Sequence, residues 1–494
     1  VFGQKFQRFR ICRLKAALAD LVTDEDDPPP IFRGAIDYLE TRPEVDASRI
    51  GMTGRSGGAA MSWFTAAVDP RVKVVAPVMG ISTYAANVRD NTQRLHCDCM
   101  FTINSAMHDM LHQGALIAPR PLLMMHGKQD LLFPVAGYEE FQDKVGALYR
   151  SLGAPGEFGN IVVDTGHQDS EFLRAEAIRW FDRHLRKIPE RKLDLDYSDA
   201  PEDSLAVFSG RPPSAARNYR VHETFTTAGP MKNYSSLAAW TARRDELVSL
   251  LRTKVFAAFP TQAVDPAVQR SGRDLEFTSE PGITVRALLI RPSKFERPEP
   301  AILYVASDAE DARAVTSVFN GIQSGVRMAV YPRGVGVVPW DKSFWKDTLR
   351  NAMHTGRTVD SMRLYDVLRA IDVLRAEPGV DPARIMLAGR GVSGALALYS
   401  AILDPRVHQV TLIDAPSSHT EGPVFLNVMR HTDLPEAAAL LAPRHLNFYA
   451  RMPAAYEPTR RIYAIHGQAD RVFLTMNLWA VLEGRYDHNF GSGR

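Results

Sequence analysis

Between Ile31 and Val163, short apolar runs alternate with longer stretches whose apolar residues recur at helical spacing. The runs Arg49–Thr53, Val72–Val78, Pro121–His126 and Asn160–Val163 have the length of strands buried on both faces. Ile31–Thr41 and Gly57–Val68 carry the helical spacing, the second being rich in Ala and Met. Such alternation predicts a mostly parallel sheet covered by helices on both faces, an α/β fold. The pattern recurs in the second half of the chain, where Ala301–Ala306 and Met328–Tyr331 add two further strands ahead of a helix. Leu275–Arg291 reads as a hairpin turning at Glu280-Pro281-Gly282, and Leu237–Phe259 as a helix with Leu237, Trp240, Leu247, Leu250, Leu251 and Phe256 on its apolar face. Asp194–Ser214, rich in Asp, Ser and Pro, reads as a linker.

The recurrence is visible residue by residue. VDASRIGMTGRS (Val45–Ser56) aligns without a gap with VDPARIMLAGRG (Val380–Gly391), an offset of 335 positions from Val45 to Val380. The same offset carries Asp69-Pro70-Arg71-Val72 onto Asp404-Pro405-Arg406-Val407. MHGKQD (Met125–Asp130) finds a counterpart in IHGQAD (Ile465–Asp470), which sets Asp470 opposite Asp130. Two copies of one α/β fold are therefore expected, with residues 1–190, 191–270 and 271–494 as first copy, linker with helical segment, and second copy. Counterparts of the Ala301 and Met328 strands would precede Val1, and the second copy runs only 24 residues past Asp470. The first copy is thus expected to be N-terminally incomplete and the second C-terminally incomplete.

Composition narrows the function. The 494 residues are 45% hydrophobic and 23% charged, with 59 Lys+Arg against 57 Asp+Glu, a net charge of +2. That near balance argues against a nucleic-acid footprint or a polybasic membrane surface. No stretch approaches the roughly 18 uninterrupted apolar residues of a membrane-spanning helix. Three cysteines, Cys12, Cys97 and Cys99, are too few for a disulfide scaffold.

One motif carries chemistry. Gly54-Arg55-Ser56-Gly57-Gly58 is a G-x-S-x-G sequence set between an apolar strand and a small-residue helix, the strand–turn–helix context of a nucleophile elbow. A serine hydroxyl needs a base within reach, itself oriented by a carboxylate. Asp130 follows the strand Pro121–His126 and the turn Gly127-Lys128-Gln129; His167 follows Asn160–Val163 in the loop Asp164-Thr165-Gly166-His167. Both thus fall at carboxyl ends of strands, where open α/β sheets build their sites. Asp164 is the nearest rival acid. Arg55, at the variable position of the elbow, either faces substrate or packs under the loop. His108, His112 and His126 read as structural.

GRSGG, APRPLLMMHGKQDLLFP (Ala118–Pro134) and DTGH together resemble the α/β-hydrolase superfamily, in its acetyl xylan esterase and prolyl-oligopeptidase-like branch. The resemblance covers Ile31–Leu185, and more weakly Leu275–Arg494. It implies Ser56 as nucleophile, His167 as general base and acid, Asp130 as its orienter, and the Gly57 N–H as one oxyanion donor. It also implies no cofactor, a small-molecule or polysaccharide ester as substrate, and a secreted or periplasmic location. The second copy departs from the pattern: Gly391 stands in the place of Ser56, Ser393 lies two residues on, and His488 follows Asp470 too closely. A degenerate copy retained for packing is expected.

Two rival functions use the same residues differently. A serine peptidase would apply the same chemistry to an amide, but the segment between the copies is too short and too helical for the propeller that such peptidases carry. A non-catalytic scaffold or carbohydrate-binding protein would need no triad. Leu95-His96-Cys97-Asp98-Cys99-Met100 contains zinc-ligand types but only half of a structural zinc site, so a pocket-lining loop near Ser56 is the expectation.

Overall fold

The computed structural model describes residues 30–96, 102–195, 201, 204, 214–215, 231–320, 324–337 and 339–476. Cys12, Cys97, Cys99, His488 and most of the expected linker lie outside the described residues. The chain divides into two compact units: unit 1 is residues 1–225 with 346–356, and unit 2 is residues 226–345 with 357–494. The short segment 346–356, from the middle of the second half, thus belongs to the first unit.

Unit 1 is built on a four-stranded parallel sheet in the order β1 (Ile50–Arg55), β2 (Val72–Val78), β3 (Leu122–Gly127), β4 (Phe158–Val163). The period-two side-chain alternation of a strand places Leu122 and Met124 of β3 in one apolar cluster and Leu123 and Met125 in the other. The first cluster packs under helices α1 (Pro30–Glu40), α2 (Gly57–Val68), α3 (Met110–Ile117) and α4 (Val135–Ser151), through Ile36, Trp63, Ile117 and Phe141. The second packs under α5 (Glu171–Phe181), through Leu173, Ala177 and Trp180. Both faces are covered, as the uninterrupted apolar runs require.

Unit 2 holds a nine-stranded mixed sheet. It comprises β5 (Gln269–Ser271), β6 (Asp274–Glu280), β7 (Ile283–Ile290), β8 (Glu299–Val305), β9 (Val326–Tyr331), β10 (Val380–Arg390), β11 (Gln409–Ile413), β12 (His445–Tyr449) and β13 (Val472–Thr475). The spatial order is β13-β12-β11-β10-β8-β9-β7-β6-β5, parallel from β13 to β9 and antiparallel beyond. The hairpin read at Glu280-Pro281-Gly282 is the β6–β7 turn, with Gly282 at φ +76°. Helix α6 (Leu237–Leu250) and the turn that continues it bring Trp240, Leu247, Leu251 and Phe256 into the larger cluster with Leu250 against it, as their spacing predicts, whereas Leu237 at the start of the helix is exposed.

Local geometry recurs between the units at the strand-to-helix joint that the offset of 335 aligns. Helix α9 (Val392–Leu403) follows β10 as α2 follows β1. Arg120 and Arg444 mark a second correspondence. Each follows a cis Ala-Pro bond, Ala118-Pro119 and Ala442-Pro443. Arg120 donates to the carbonyls of Ala66, Asp69 and Val72, and Arg444 to those of Asp404 and Val407. Their own carbonyls accept from Tyr149 and Tyr463 at 2.6 and 2.7 Å.

These anchors overturn the pairing of Asp470 with Asp130. Tyr463 lies on the helix Glu457–Ile465 as Tyr149 lies on α4, and Gly467 and Gly153 follow them, both at positive φ. Asp470 therefore sits in the turn Ala469–Arg471 before β13, the place of Pro155–Glu157 before β4. The chain after β12 runs Ala450-Arg451-Met452-Pro453 into its next helical turn, with no carboxylate in it. The shared His-Gly and Asp of the two hexapeptides occupy unrelated positions.

Half-buried Arg120 and Arg444 each tie carbonyls of the preceding helix end and strand start to the following strand, so each is expected to hold its own unit together. Arg120→Met and Arg444→Met should each lower stability by about 2–4 kcal/mol, the cost of stranding buried carbonyls. Urea unfolding followed by tryptophan fluorescence measures the loss.

Candidate active site

Strand β1 ends in a turn of unusual backbone. Ser56 adopts φ 55° and ψ −117°, a region that costs a non-glycine residue about 1–3 kcal/mol. Two hydrogen bonds hold it: its N–H donates to Val78 O at 2.9 Å, and its carbonyl accepts from Ala60 N–H at 3.1 Å. The turn closes so tightly that a Cβ on Gly54 would come within 2.6–2.8 Å of the Gly58 backbone, so only glycine fits at Gly54. Gly57 opens α2, at the end where backbone N–H groups and the helix dipole favour negative charge.

The loops after β3 and β4 are laced together. Lys128 N–H donates to Val163 O at 2.8 Å and Gln129 N–H to Thr165 O at 3.0 Å. Gly127 permits this approach, since a Cβ there would meet Thr165 O at 2.6 Å. The result is a bond between Asp130 and His167: Nδ1 of His167 lies 2.8 Å from Oδ2 of Asp130. The other carboxylate oxygen accepts from Leu132 N–H at 2.8 Å. The Asp130 side chain is 1% exposed and that of His167 is 21% exposed, so the acid is sealed and the imidazole reaches solvent. Asp164, the rival acid, instead accepts from the Gln129 side chain at 3.0 Å. Arg55 reaches the His167 carbonyl at 3.3 Å, which ties the elbow to the histidine loop.

Phe133 and His96, the latter from the loop expected to line the pocket, complete the surroundings. Phe133 lies with its ring centroid 5.7 Å from His167 and 5.0 Å from His96. Burial lowers the pKa of the His96 ring, and Nε2 donates to Leu132 O at 2.6 Å. His112 belongs to the capping box of α3 with Asp109. Among the described residues no group of three or more His, Cys, Asp or Glu is placed to hold a metal ion.

In unit 2 the turn after β10 reproduces the elbow with Gly391 at φ 55° and ψ −124°, its N–H donating to Ile413 O at 2.8 Å. A Cβ on Gly391 would meet nothing within 4 Å, so the position matching Ser56 is open and carries no side-chain oxygen. Ser393 is buried in α9 and donates to Ala306 O at 3.0 Å.

A family model described as acetyl xylan esterase matches residues 262–417, the part of the chain that contains Gly391. The "Putative hydrolase YtaP" of Bacillus subtilis (strain 168) is 30% identical over 152 residues, 31% of this chain and 51% of that protein. The chain thus spans about half the length of the curated relative it matches. Among solved structures, a "putative acetyl xylan esterase" from Bacteroides fragilis NCTC 9343 is similar at TM-score 0.42 and 15% identity, over 55% of this chain and 84% of that one. A carbohydrate esterase family 15 glucuronoyl esterase from Caldicellulosiruptor kristjansonii is similar at 0.38 and 17%, over 49% and 80%.

His126, on β3 ahead of Asp130, supplies a pH dependence. It is buried and stacked on Tyr138 at 4.3 Å, and among the described residues neither ring nitrogen has a hydrogen-bond partner. Burial pushes its pKa down to about 3, against a smaller opposing pull from Asp130. The unfolded chain takes up a proton near pH 6.5 that the folded chain refuses. Stability is therefore complete above about pH 6.5 and withdrawn below it, by about 2 kcal/mol per such histidine between pH 7 and 5. His126→Phe keeps a stacked ring and should make the loss between pH 7 and 5 smaller by about that amount, as read from urea midpoints at the two pH values.

Proposed function

We propose that this chain, with its α/β-hydrolase fold, is a serine hydrolase that cleaves carboxylic esters through an acyl-enzyme formed on Ser56. The observation that carries the reading is the 2.8 Å bond from His167 to the buried Asp130, in loops at the same carboxyl end of the sheet as the Ser56 turn. Ser56 Oγ attacks the ester carbonyl while His167 Nε2 takes its proton. Asp130 accepts the Nδ1 hydrogen bond, which fixes the tautomer and steadies the imidazolium. The tetrahedral oxyanion is stabilised by the Gly57 N–H at the start of α2. Collapse breaks the bond to the alcohol, which leaves with the proton from His167. Water then attacks the acyl-serine with His167 as base, and the carboxylic acid departs as Ser56 recovers its proton.

An acetylated polysaccharide is the proposed substrate class. Support comes from the hydrolase name of the curated relative and from the acetyl xylan esterase family match, which falls on residues 262–417 rather than on the Ser56 turn. Action on such a polymer would call for a secreted or periplasmic location, which is proposed with it; among the described residues no helix is long and apolar enough to cross a membrane. Unit 2 is proposed to be non-catalytic, because its elbow holds Gly391 and its loop after β12 has no carboxylate.

Ser56→Ala is expected to abolish release of p-nitrophenol from p-nitrophenyl acetate. Asp130→Asn leaves His167 in the wrong tautomer and should lower kcat by up to about 10⁴-fold. Far-UV circular dichroism should stay unchanged in both. A loss of less than about a hundredfold for Ser56→Ala would exclude it as the nucleophile.

A further inference from the structure

Helix α7 (Trp345–His354) lies in the sequence of the second half, between β9 and α8 (Val359–Arg375), yet residues 346–356 belong to unit 1. Its docking is polar and specific. Asn351 donates to Asn91 Oδ1 at 2.9 Å, while Asn104 donates through its backbone to Met353 O at 3.1 Å and through its side chain to His354 O at 2.9 Å. The His354 ring packs edge-on against Tyr84 at 4.6 Å. At the centre is Arg350, 6% exposed, whose Nη1 donates to Gln93 O at 3.0 Å and to His96 O at 2.6 Å. A buried guanidinium with carbonyl acceptors makes charge-assisted bonds, stronger and more directional than neutral ones.

The residue so held is the one that supports the acid loop. His96 donates to Leu132 O and lies against Phe133; Leu132 N–H donates to Asp130 Oδ1, and Phe133 lies against His167. Both flanks of the Asp130–His167 pair are thus reached from Arg350 through a single intermediate residue. We infer that Arg350 is a positioning residue for the triad, acting through His96 to hold Leu132 and Phe133 against Asp130 and His167. Residues 30–190 alone are then an incomplete active site, because a helix from the second half sets the geometry of the first. The inference rests on the reading of Ser56, Asp130 and His167 as a reacting triad.

The test uses the full chain. Arg350→Met and His96→Phe should each lower kcat on p-nitrophenyl acetate about 10–100-fold with KM changed less than about threefold, the cost of loosening a reacting geometry by a fraction of an ångström. His96→Gln keeps an N–H at the Nε2 position and should recover most of the rate. The double variant Arg350→Met/His96→Phe should be no slower than the slower single variant, since both remove one chain of support. The deshielded Nδ1 proton of His167 in the ¹H NMR spectrum gives a readout independent of turnover, and should broaden or vanish in Arg350→Met and His96→Phe. If Arg350→Met does not fold, the His96→Phe and His96→Gln pair decides by the same two readouts. Losses that multiply in the double variant, equal rates for His96→Phe and His96→Gln, or an unchanged His167 resonance would overturn the inference. Wild-type protein without esterase activity, whose His167 resonance still depends on Arg350, would instead refute the hydrolase reading and leave the positioning role standing.

Discussion

A carboxylate removed from water must have its charge met by hydrogen bonds, and in this protein that requirement falls on Asp130. One oxygen takes the Leu132 N–H and the other the His167 imidazole. Leu132 lies two residues on in the same loop, whereas His167 comes into range through the lacing of the loops after β3 and β4, and that lacing depends on Gly127 having no side chain. The parallel sheet supplies the rest, because all four strands end at one carboxyl end, where the Ser56 turn and the histidine loop both lie. Arg55 spans the remaining gap by donating to the His167 carbonyl.

The second unit shows which parts of this arrangement belong to the scaffold and which to the chemistry. Its elbow has the same backbone angles to within a few degrees, and its Arg444 and Tyr463 repeat the contacts of Arg120 and Tyr149. The unusual turn therefore survives without a serine, as a strand-to-helix joint. Glycine occupies it at no conformational penalty, whereas Ser56 bears one. Strain that is kept at one elbow and relieved at the other is what the proposed function expects of a nucleophile at Ser56 and none at Gly391. The loop after β12 is shorter than that after β3 and holds no carboxylate, which agrees with the same proposal.

Strands and helices were legible because their residues are buried on both faces: Val72–Val78 and Gly57–Val68 coincide with the observed elements to the residue. The turn at Ser56 was legible because tight backbone approach demands glycines at fixed spacing. The pairing of Asp470 with Asp130 misled because a short match of His, Gly and Asp carries no information about the backbone beneath it. The informative identity was Ala118-Pro119-Arg120 with Ala442-Pro443-Arg444, where the arginine satisfies carbonyls that every such turn exposes. Arg350 had no signal at all. Its partner His96 is 254 positions away, and a helical arginine among polar neighbours reads as a solvated face until the carbonyls it meets are known.

The central claim is that the chain has one nucleophile, in the first of two similar turns. Reaction of the full chain with a fluorophosphonate, followed by proteolysis and mass spectrometry, reads this directly. A single adduct on the peptide containing Ser56, with none on the peptide containing Gly391 and Ser393, is the expected result. An adduct on Ser393, or an unmodified Ser56 in protein that still hydrolyses esters, would contradict it.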